Sequence, residues 1–483
     1  MSSAIYSAVS GLKAQQQKLD VISNNIANIN TAGYKSQRVS FSDLLSQTIK
    51  GATAPSSSSN TGGINPMQVG LGVSVSSIDT DMSTGSTEST GNSMDVSIGG
   101  DGYFIVTGGS NSDYEFTRAG NFGVDKNGNL TVNGMKVCGW QSRTTNSDGT
   151  YSYNTQSSVE GINLFSDSYN GNKKIIAPKA TTSATLSGNL DPTATAIGSG
   201  LSSIGSSTTS GTTTTTIAAD TTDGSLKKTV TDSSTSSTST STVDPDSTST
   251  MTVYDSEGNK YEAKVNYYKC YTDSTTSNTT WYWNVTSGSS SLSVSSPTSG
   301  YVEFDSNGKL VTGSSYSTTP SVTLQPASSV GSSSFSVKLD MSGLSTYTSS
   351  SDSSVTVDAD GYAAGELSGV SIGSDGIITG SYSNGQKQPL AQIALATFTN
   401  PSGLSKVGDN LYTTTVNSGD FNGGVTAGSS GTGTLSSGTL EGSNVDLSSE
   451  FSDLAVTQRA YQANSKVITT SDSMMETLIN MIR

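Results

Sequence analysis

The chain has 483 residues, no histidine, 52 glycines and only 10 prolines, and 31% of its residues are apolar. That length and thin apolar content point to several modest β-domains rather than one large core. Its formal charge of −15 disfavours nucleic acid as a partner and would keep even a densely packed assembly soluble. Without histidine, Ser-His-Asp and Cys-His nucleophiles and His-ligated metals are excluded.

The first element in chain order is a helix over residues 3–29. Ile5, Leu12, Leu19 and Ile26 recur every seven residues, with Ala8, Gln15, Ile22 and Ile29 three residues after each. At 1.5 Å per residue it would be roughly 40 Å long. From about residue 95 to 140, short β-rich runs alternate with turn signals. Tyr103-Phe104-Ile105-Val106 follows Asp101-Gly102, and Leu130-Thr131-Val132 follows Asn127-Gly128-Asn129. The pattern returns before Asp255-Ser256-Glu257-Gly258, before Asp305-Ser306-Asn307-Gly308 and around Asp375-Gly376. These read as antiparallel hairpins in small β-domains. Residues 196–250 form a Ser/Thr/Gly tract, expected in part as a linker or disorder, with polar β-strands and long loops at a surface as the competing reading. A second long helix closes the chain. Leu447, Leu454, Tyr461, Ile468, Met475 and Ile482 repeat every seven residues, Phe451 and Ile479 widen the stripe, and Asn444 or Ser443 is the expected N-cap.

The two terminal helices suit each other. Residues 1–50 carry Lys13, Lys18, Lys35, Arg38 and Lys50 against Asp20 and Asp43, a net of +3. Residues 441–483 carry Glu441, Asp446, Glu450, Asp453, Asp472 and Glu476 against Arg459, Lys466 and Arg483, a net of −3. An intramolecular helical hairpin is one outcome; the other is a hairpin whose remaining faces pack on further copies. The fold expected is multidomain and mainly β, with the N- and C-terminal α-helices pairing in a coiled-coil-like way beside antiparallel β-domains.

No motif carries catalysis. Asp125-Lys126-Asn127-Gly128-Asn129 has oxygens at alternate positions but lacks the later glycine and glutamate of a calcium loop, and reads as a turn with a glycine bulge. Cys138 and Cys270 have no CxxC or metal spacing and are expected as free thiols, a disulfide remaining open. No enzyme activity, cofactor or metal is expected. Neither a secretory signal peptide nor the ~18 apolar residues of a membrane span is present in the sequence.

Residues 24–35 read Asn24-Asn25-Ile26-Ala27-Asn28-Ile29-Asn30-Thr31-Ala32-Gly33-Tyr34-Lys35. Asparagines and Gly33 tolerate left-handed backbone and can end a long helix, and Tyr34 supplies an anchor beyond it. This run closely resembles the signature of the flagellar rod and hook axial family. So do residues 442–444, Leu447, Gln458-Arg459-Ala460-Tyr461-Gln462-Ala463-Asn464, residues 95–106, and the run from 380 to 412. Size and the 251–259 strand-turn resemble hook members more than distal rod or hook-filament junction members; a secreted Ser/Thr-rich adhesin is the rival from another class.

The resemblance implies a helical axial core of residues 1–30 and 443–483, packed through Ile5, Leu12, Leu19, Ile22, Ile26, Leu447, Phe451, Leu454, Tyr461, Ile468, Met475 and Ile479. It implies an extended linker over 31–75, an inner β-domain from 76–145 and 358–440, and an outer domain from 146–357 holding the Ser/Thr insertion. It further implies an extracellular homopolymer, a bent tube around an export channel, transmitting motor torque. Rod and junction proteins, a hook cap and the type III export apparatus would be its partners, and export would need no cleaved signal. Nucleic acid and membrane insertion are not implied.

Overall fold

The computed structural model describes residues 2–55, 62–108, 113–145, 151–197, 207–220, 225–295, 298–312, 316–348 and 353–482. The chain forms two compact units, one of residues 1–174, 367–381 and 387–483, the other of residues 175–366 and 382–386.

In the first unit, helix α1 (Ser2–Ala27) and helix α2 (Leu447–Ile482) come from the two chain ends. The asparagine run ends α1 by side-chain bonding: Asn28 Nδ2 donates to the Asn24 carbonyl at 2.9 Å and to Asn24 Oδ1 at 2.7 Å. At the other end α2 is capped by Asp446, whose Oδ1 accepts the Ser448 N–H at 2.9 Å. Asn444, expected as the cap, instead accepts the Ser36 N–H.

Residues 31–75 are not an extended linker. Strand Gln37–Asp43 pairs antiparallel with Val73–Thr80, Ser46–Lys50 pairs with Met67–Gly70, and Thr53 bridges Ile64. Pairing the segment with itself satisfies backbone groups that an isolated extended chain would leave to water. Cross-strand contacts Val39–Ile78 and Phe41–Val75 supply the apolar part. The ribbon meets α1 where Ser10 Oγ accepts the Val73 N–H at 3.2 Å.

The β-domain of this unit interleaves early and late chain. Met135–Trp140 lies between Lys387–Ala396 and Tyr103–Thr107; Tyr114–Thr117, Leu411–Thr413 and Ser405–Gly408 follow in order. All of these neighbours are antiparallel. Tyr103–Val106 is buried throughout because both faces of the sheet are covered. Phe104 and Val106 join Ile98, Leu130, Ile393 and Leu395 on one side; Tyr103 and Ile105 join Phe116, Trp140 and Tyr412 on the other. Val159, Ile162 and Leu164 also sit in these cores. Residues 151–174 therefore belong with the inner domain, not the outer one as expected.

The second unit is a sandwich. One sheet runs Ser247–Tyr254, Lys260–Thr272, Thr279–Ser287, Ser299–Phe304. The other runs Leu292–Ser295, Ser321–Pro326, Phe335–Ser345, Ser183–Asn189, Ser354–Ala359, with one parallel pair. Since Ser354–Ala359 is an edge strand here, the boundary falls at 366 rather than 357. The core holds Val265, Tyr267, Trp281, Trp283, Leu324 and Leu339. Of the Ser/Thr tract, residues 198–206 and 221–224 lie outside the described residues; Ser207–Ser210, Thr213–Ala219, Leu226–Asp232 and Ser237–Val243 are not a linker but form a four-stranded antiparallel sheet. Threonine's β-branch favours strands even where no apolar alternation marks them.

The Asp-x-x-Gly turns share one device. Asp255 Oδ1 accepts the N–H groups of Glu257 and Asn259 at 2.9 Å each, and Oδ2 accepts Asn259 Nδ2 and the Tyr261 hydroxyl at 2.9 Å. Burial pushes this carboxyl up, but the Ser332 hydroxyl, with the bonds from Asn259 and Tyr261, outweighs it and holds its pKa at about 2. A depressed carboxylate stabilises the fold above its unfolded value near ~3.9 and loses that contribution as pH falls through the folded one. Asp255→Asn should therefore lower the melting temperature at pH 7 and flatten its fall between about pH 4 and pH 2, read by calorimetry across that window.

Candidate assembly surface and the clasp at its root

α1 and α2 pack antiparallel. Asn25 Nδ2 donates to Glu450 Oε1 at 2.9 Å, Lys18 Nζ lies 3.4 Å from Asp453, and a Cβ on Gly11 would lie 2.7 Å from Asn464. The Lys18–Asp453 pair is exposed and contributes little. Burial on α1 falls on Ala8, Gly11, Ala14, Ile22 and Asn25, with Ile5, Leu12, Leu19 and Ile26 half-buried. On α2 it falls on Thr457, with Glu450, Leu454, Asn464 and Ile468 half-buried. The seam within the chain thus mixes small and polar residues, such as Ala8, Gly11, Asn25, Thr457 and Asn464, with Ile22, Leu454 and Ile468.

The expected apolar stripe of α2 divides accordingly. Leu454 and Ile468 lie on the seam; Leu447, Phe451, Tyr461, Met475 and Ile479 are exposed, Phe451 by 54% and Ile479 by 63%. Val456, Val467, Met474, Leu478 and Met481 are exposed with them. α2 has 36 residues and α1 has 26. Ala4, near the start of α1, lines a hollow with Val467, Thr470 and Met474, so the last turns of α2 run about 15 Å beyond α1. Apolar side chains of this extent are left for another surface to cover.

At the root of the helix pair, residues 31–36 and 441–444 are bound together. Glu441 is 1% exposed; Lys35 Nζ lies 2.6 Å from its Oε1 and Arg118 Nη1 lies 3.2 Å from its Oε2. Its Oε1 also accepts the Gly85 N–H at 3.0 Å, and its carbonyl accepts the Gly33 N–H at 2.8 Å. Spare protons of the cations go to carbonyls, Lys35 to Ser83 at 2.6 Å and Arg118 to Gly100 at 2.9 Å. Burial pulls Lys35 below the usual lysine range, and Glu441 pulls it back. The Ser36 N–H donates to Asn444 Oδ1 at 2.8 Å, which fixes the entry to α2.

The motif residues have separate tasks here. Asn25 is buried; its Oδ1 accepts the Tyr34 hydroxyl at 3.2 Å and the Gln37 N–H at 3.0 Å, and its Nδ2 donates to the Gln37 carbonyl at 2.9 Å. Asn24 and Asn28 end the helix, Thr31 Oγ1 donates to Asn28 Oδ1 at 3.1 Å, and Ala27 and Asn30 are exposed. Lys406 Nζ lies 4.7 Å from the Tyr34 ring centroid and donates to the Lys35 carbonyl at 3.1 Å. Gly33 has φ +71°, and a Cβ there would lie 2.8 Å from the Ala119 nitrogen. Gly33→Ala adds left-handed strain and a backbone clash, so thermal melting should show a loss of about 1–3 kcal/mol.

Other candidates resolve structurally. Asp125 spends its carboxylate on its own turn, accepting the Asn127 and Asn129 N–H groups at 2.9 and 2.8 Å, and Gly128 takes φ +88°. Among the described residues no cluster could hold a metal ion. Cys138 and Cys270 are free and buried, and burial pushes both thiols up to about 12. Among the described residues no helix is long and apolar enough to cross a membrane.

An antiparallel pair of chain-end helices, rooted by a buried clasp in a β-domain built from both halves of the chain, is the plan of a flagellar axial subunit. Four family models match in the same order: flagella basal body rod protein at residues 5–35, flagellar hook protein FlgE/F/G D1 domain at 97–188, flagellar basal body protein FlaE D2 domain at 225–362, and flagellar basal body rod FlgEFG protein C-terminal at 436–481. The two sides of the clasp, Lys35 and Glu441, thus fall in the first and last of them. More particularly, the chain belongs to the flagellar hook protein family. It is 36% identical to the hook protein FlgE of Borreliella burgdorferi and 34% identical to that of Treponema pallidum, each over 100% of both chains. It is 32% identical to the Salmonella typhimurium hook protein FlgE over 98% of each. The family is one of structural subunits that self-polymerise outside the cell body, not of enzymes.

Proposed function

We propose that this chain is the structural subunit of a flagellar hook, polymerising into a flexible curved tube that carries motor torque to the filament around an export channel. The exposed apolar face of α2, running beyond the end of α1, carries this reading. A two-helix pair buries only one side of each helix and gains little from its own pairing. It would gain order when neighbouring copies cover Phe451, Met475, Leu478 and Ile479. In the tube the helices would line the channel, and the second unit would face outward, its polar surfaces sliding as rows lengthen and shorten. Rod and hook-filament junction proteins, a hook cap and the type III export apparatus complete the reading as partners, with export that needs no cleaved signal peptide. Electron microscopy of purified protein concentrated in a salting-out buffer is the test. Tubes of uniform diameter are expected; persistent monomer under all such conditions would refute the reading.

A further inference from the structure

The Ser/Thr-rich sheet of the second unit buries few apolar side chains. Its fully buried apolar side chains are Ile217 and Leu226, which pack with Val243 on Tyr268, Cys270 and Tyr282. Away from that base, residues 213–216 and 227–232 are half-buried and residues 237–242 exposed. Hydroxyl pairs such as Thr229–Thr240 and Thr231–Thr238 replace apolar cross-strand pairs. A sheet held only at one end is marginal, since strands need an apolar face or a packing partner for stability.

Its edge is also unprotected. Ser237–Val243 pairs with Leu226–Asp232 along all seven residues without a bulge, and it contains no charge and no proline. Exposed edges are usually blunted by lysine, proline or a bulge, and this one has none of them. Among the described residues no strand pairs with its outer side, nor with the outer side of Ser207–Ser210 at the opposite edge. The four strands alternate in direction, so the first and last run antiparallel. A second copy shifted sideways would therefore offer its Ser207–Ser210 antiparallel to Ser237–Val243, with the sheet's faces unchanged. Neither edge carries a charge, so the −15 of each chain does not oppose contact at this line.

We propose that the Ser/Thr sheet of one copy continues into that of the next, Ser237–Val243 pairing antiparallel with Ser207–Ser210 of a second copy. The contact is head-to-tail, which propagates along an open polymer, whereas an edge paired with itself would close a dimer. This pairing rests on the reading of the chain as a self-assembling subunit.

The test is disulfide trapping in assembled tubes. Thr208→Cys is combined in turn with Thr238→Cys, Ser239→Cys and Thr240→Cys, covering adjacent registers. Within one copy these strands lie three spacings apart, about 14 Å, too far for a disulfide. Mild oxidation of tubes should give a ladder of dimers, trimers and longer species for at least one pair, and none for the single variants or the unaltered chain. Normal tubes that yield only monomer for all three pairs would overturn the pairing. Dimers from Thr240→Cys alone would overturn it too, by showing a self-paired edge. Unaltered chain that forms no tubes is a separate failure, that of the self-assembly reading, and the pairing falls with it.

Discussion

Glu441→Ala will destabilise the first unit by about 3–5 kcal/mol, more than any other single change in the clasp. The carboxylate is buried between two cations, Lys35 at 2.6 Å and Arg118 at 3.2 Å, and removing it leaves both unpaired in a dry site. Their carbonyl partners at Ser83 and Gly100 do not neutralise them. Lys35→Met should cost less, because Arg118 and Glu441 then remain as a neutral pair. Arg118→Met should fall between, since it also removes the stacking on Tyr103 at 5.0 Å. Urea titration followed by hydrogen exchange at residues 103–107 reads the first unit alone. If Lys35→Met proved as damaging as Glu441→Ala, the charge account of the clasp would be wrong, and packing of the lysine stem would matter more than its charge.

The helices were legible because a seven-residue repeat survives any tertiary context, and the turn after α1 because Asn-rich sequence with Gly33 has few other uses. The seam was legible only in part. Periodicity selects apolar residues: it chose Ile22, Leu454 and Ile468, which the chain's own pairing uses, but also Phe451, Met475 and Ile479, which are exposed, and it passed over Gly11, Thr457 and Asn464. A repeat cannot say which copy covers it. Asn444 illustrates a similar ambiguity: its side chain suits a cap, but it holds Ser36, and Asp446 two residues later does the capping.

The clasp was half visible. Lys35 stood inside the motif, but its partner Glu441 is 406 residues away and counted only as one more charge near α2. Pairing over that separation leaves no local trace, because it depends on the chain leaving the helices and returning. The ribbon of residues 37–80 and the Ser/Thr sheet were hidden for another reason. The outer part of the ribbon (Ser46–Lys50 with Met67–Gly70) and the edge strand Ser237–Val243 are paired with little burial, so they lack the alternation that marks a half-buried strand. In both, hydrogen-bonded backbone rather than apolar pattern specifies the structure, and every residue but proline carries the same backbone groups.

Ile479→Asp and Phe451→Asp should leave the monomer intact and abolish tubes. Both side chains are more than half exposed, so each change should shift monomer stability by no more than about 0.5 kcal/mol. In a tube the same positions would be enclosed by other copies. A carboxylate buried there without a partner costs several kcal/mol, and every subunit repeats the penalty. Ile22→Asp is the contrasting case, for Ile22 is 3% exposed within the monomer and its loss should lower the melting temperature directly. Leu12→Asp and Ile468→Asp, at half-buried seam positions, should do some of both. Thermal melts of dilute protein, paired with sedimentation and micrographs of concentrated protein, separate the two effects. Normal tubes from both Ile479→Asp and Phe451→Asp would mean that the exposed face of α2 is not the assembly surface. The exposed row of Phe451, Met475, Leu478 and Ile479 would then need another explanation, because a helix that leaves so many apolar side chains outside its own pairing makes physical sense only if something else covers them.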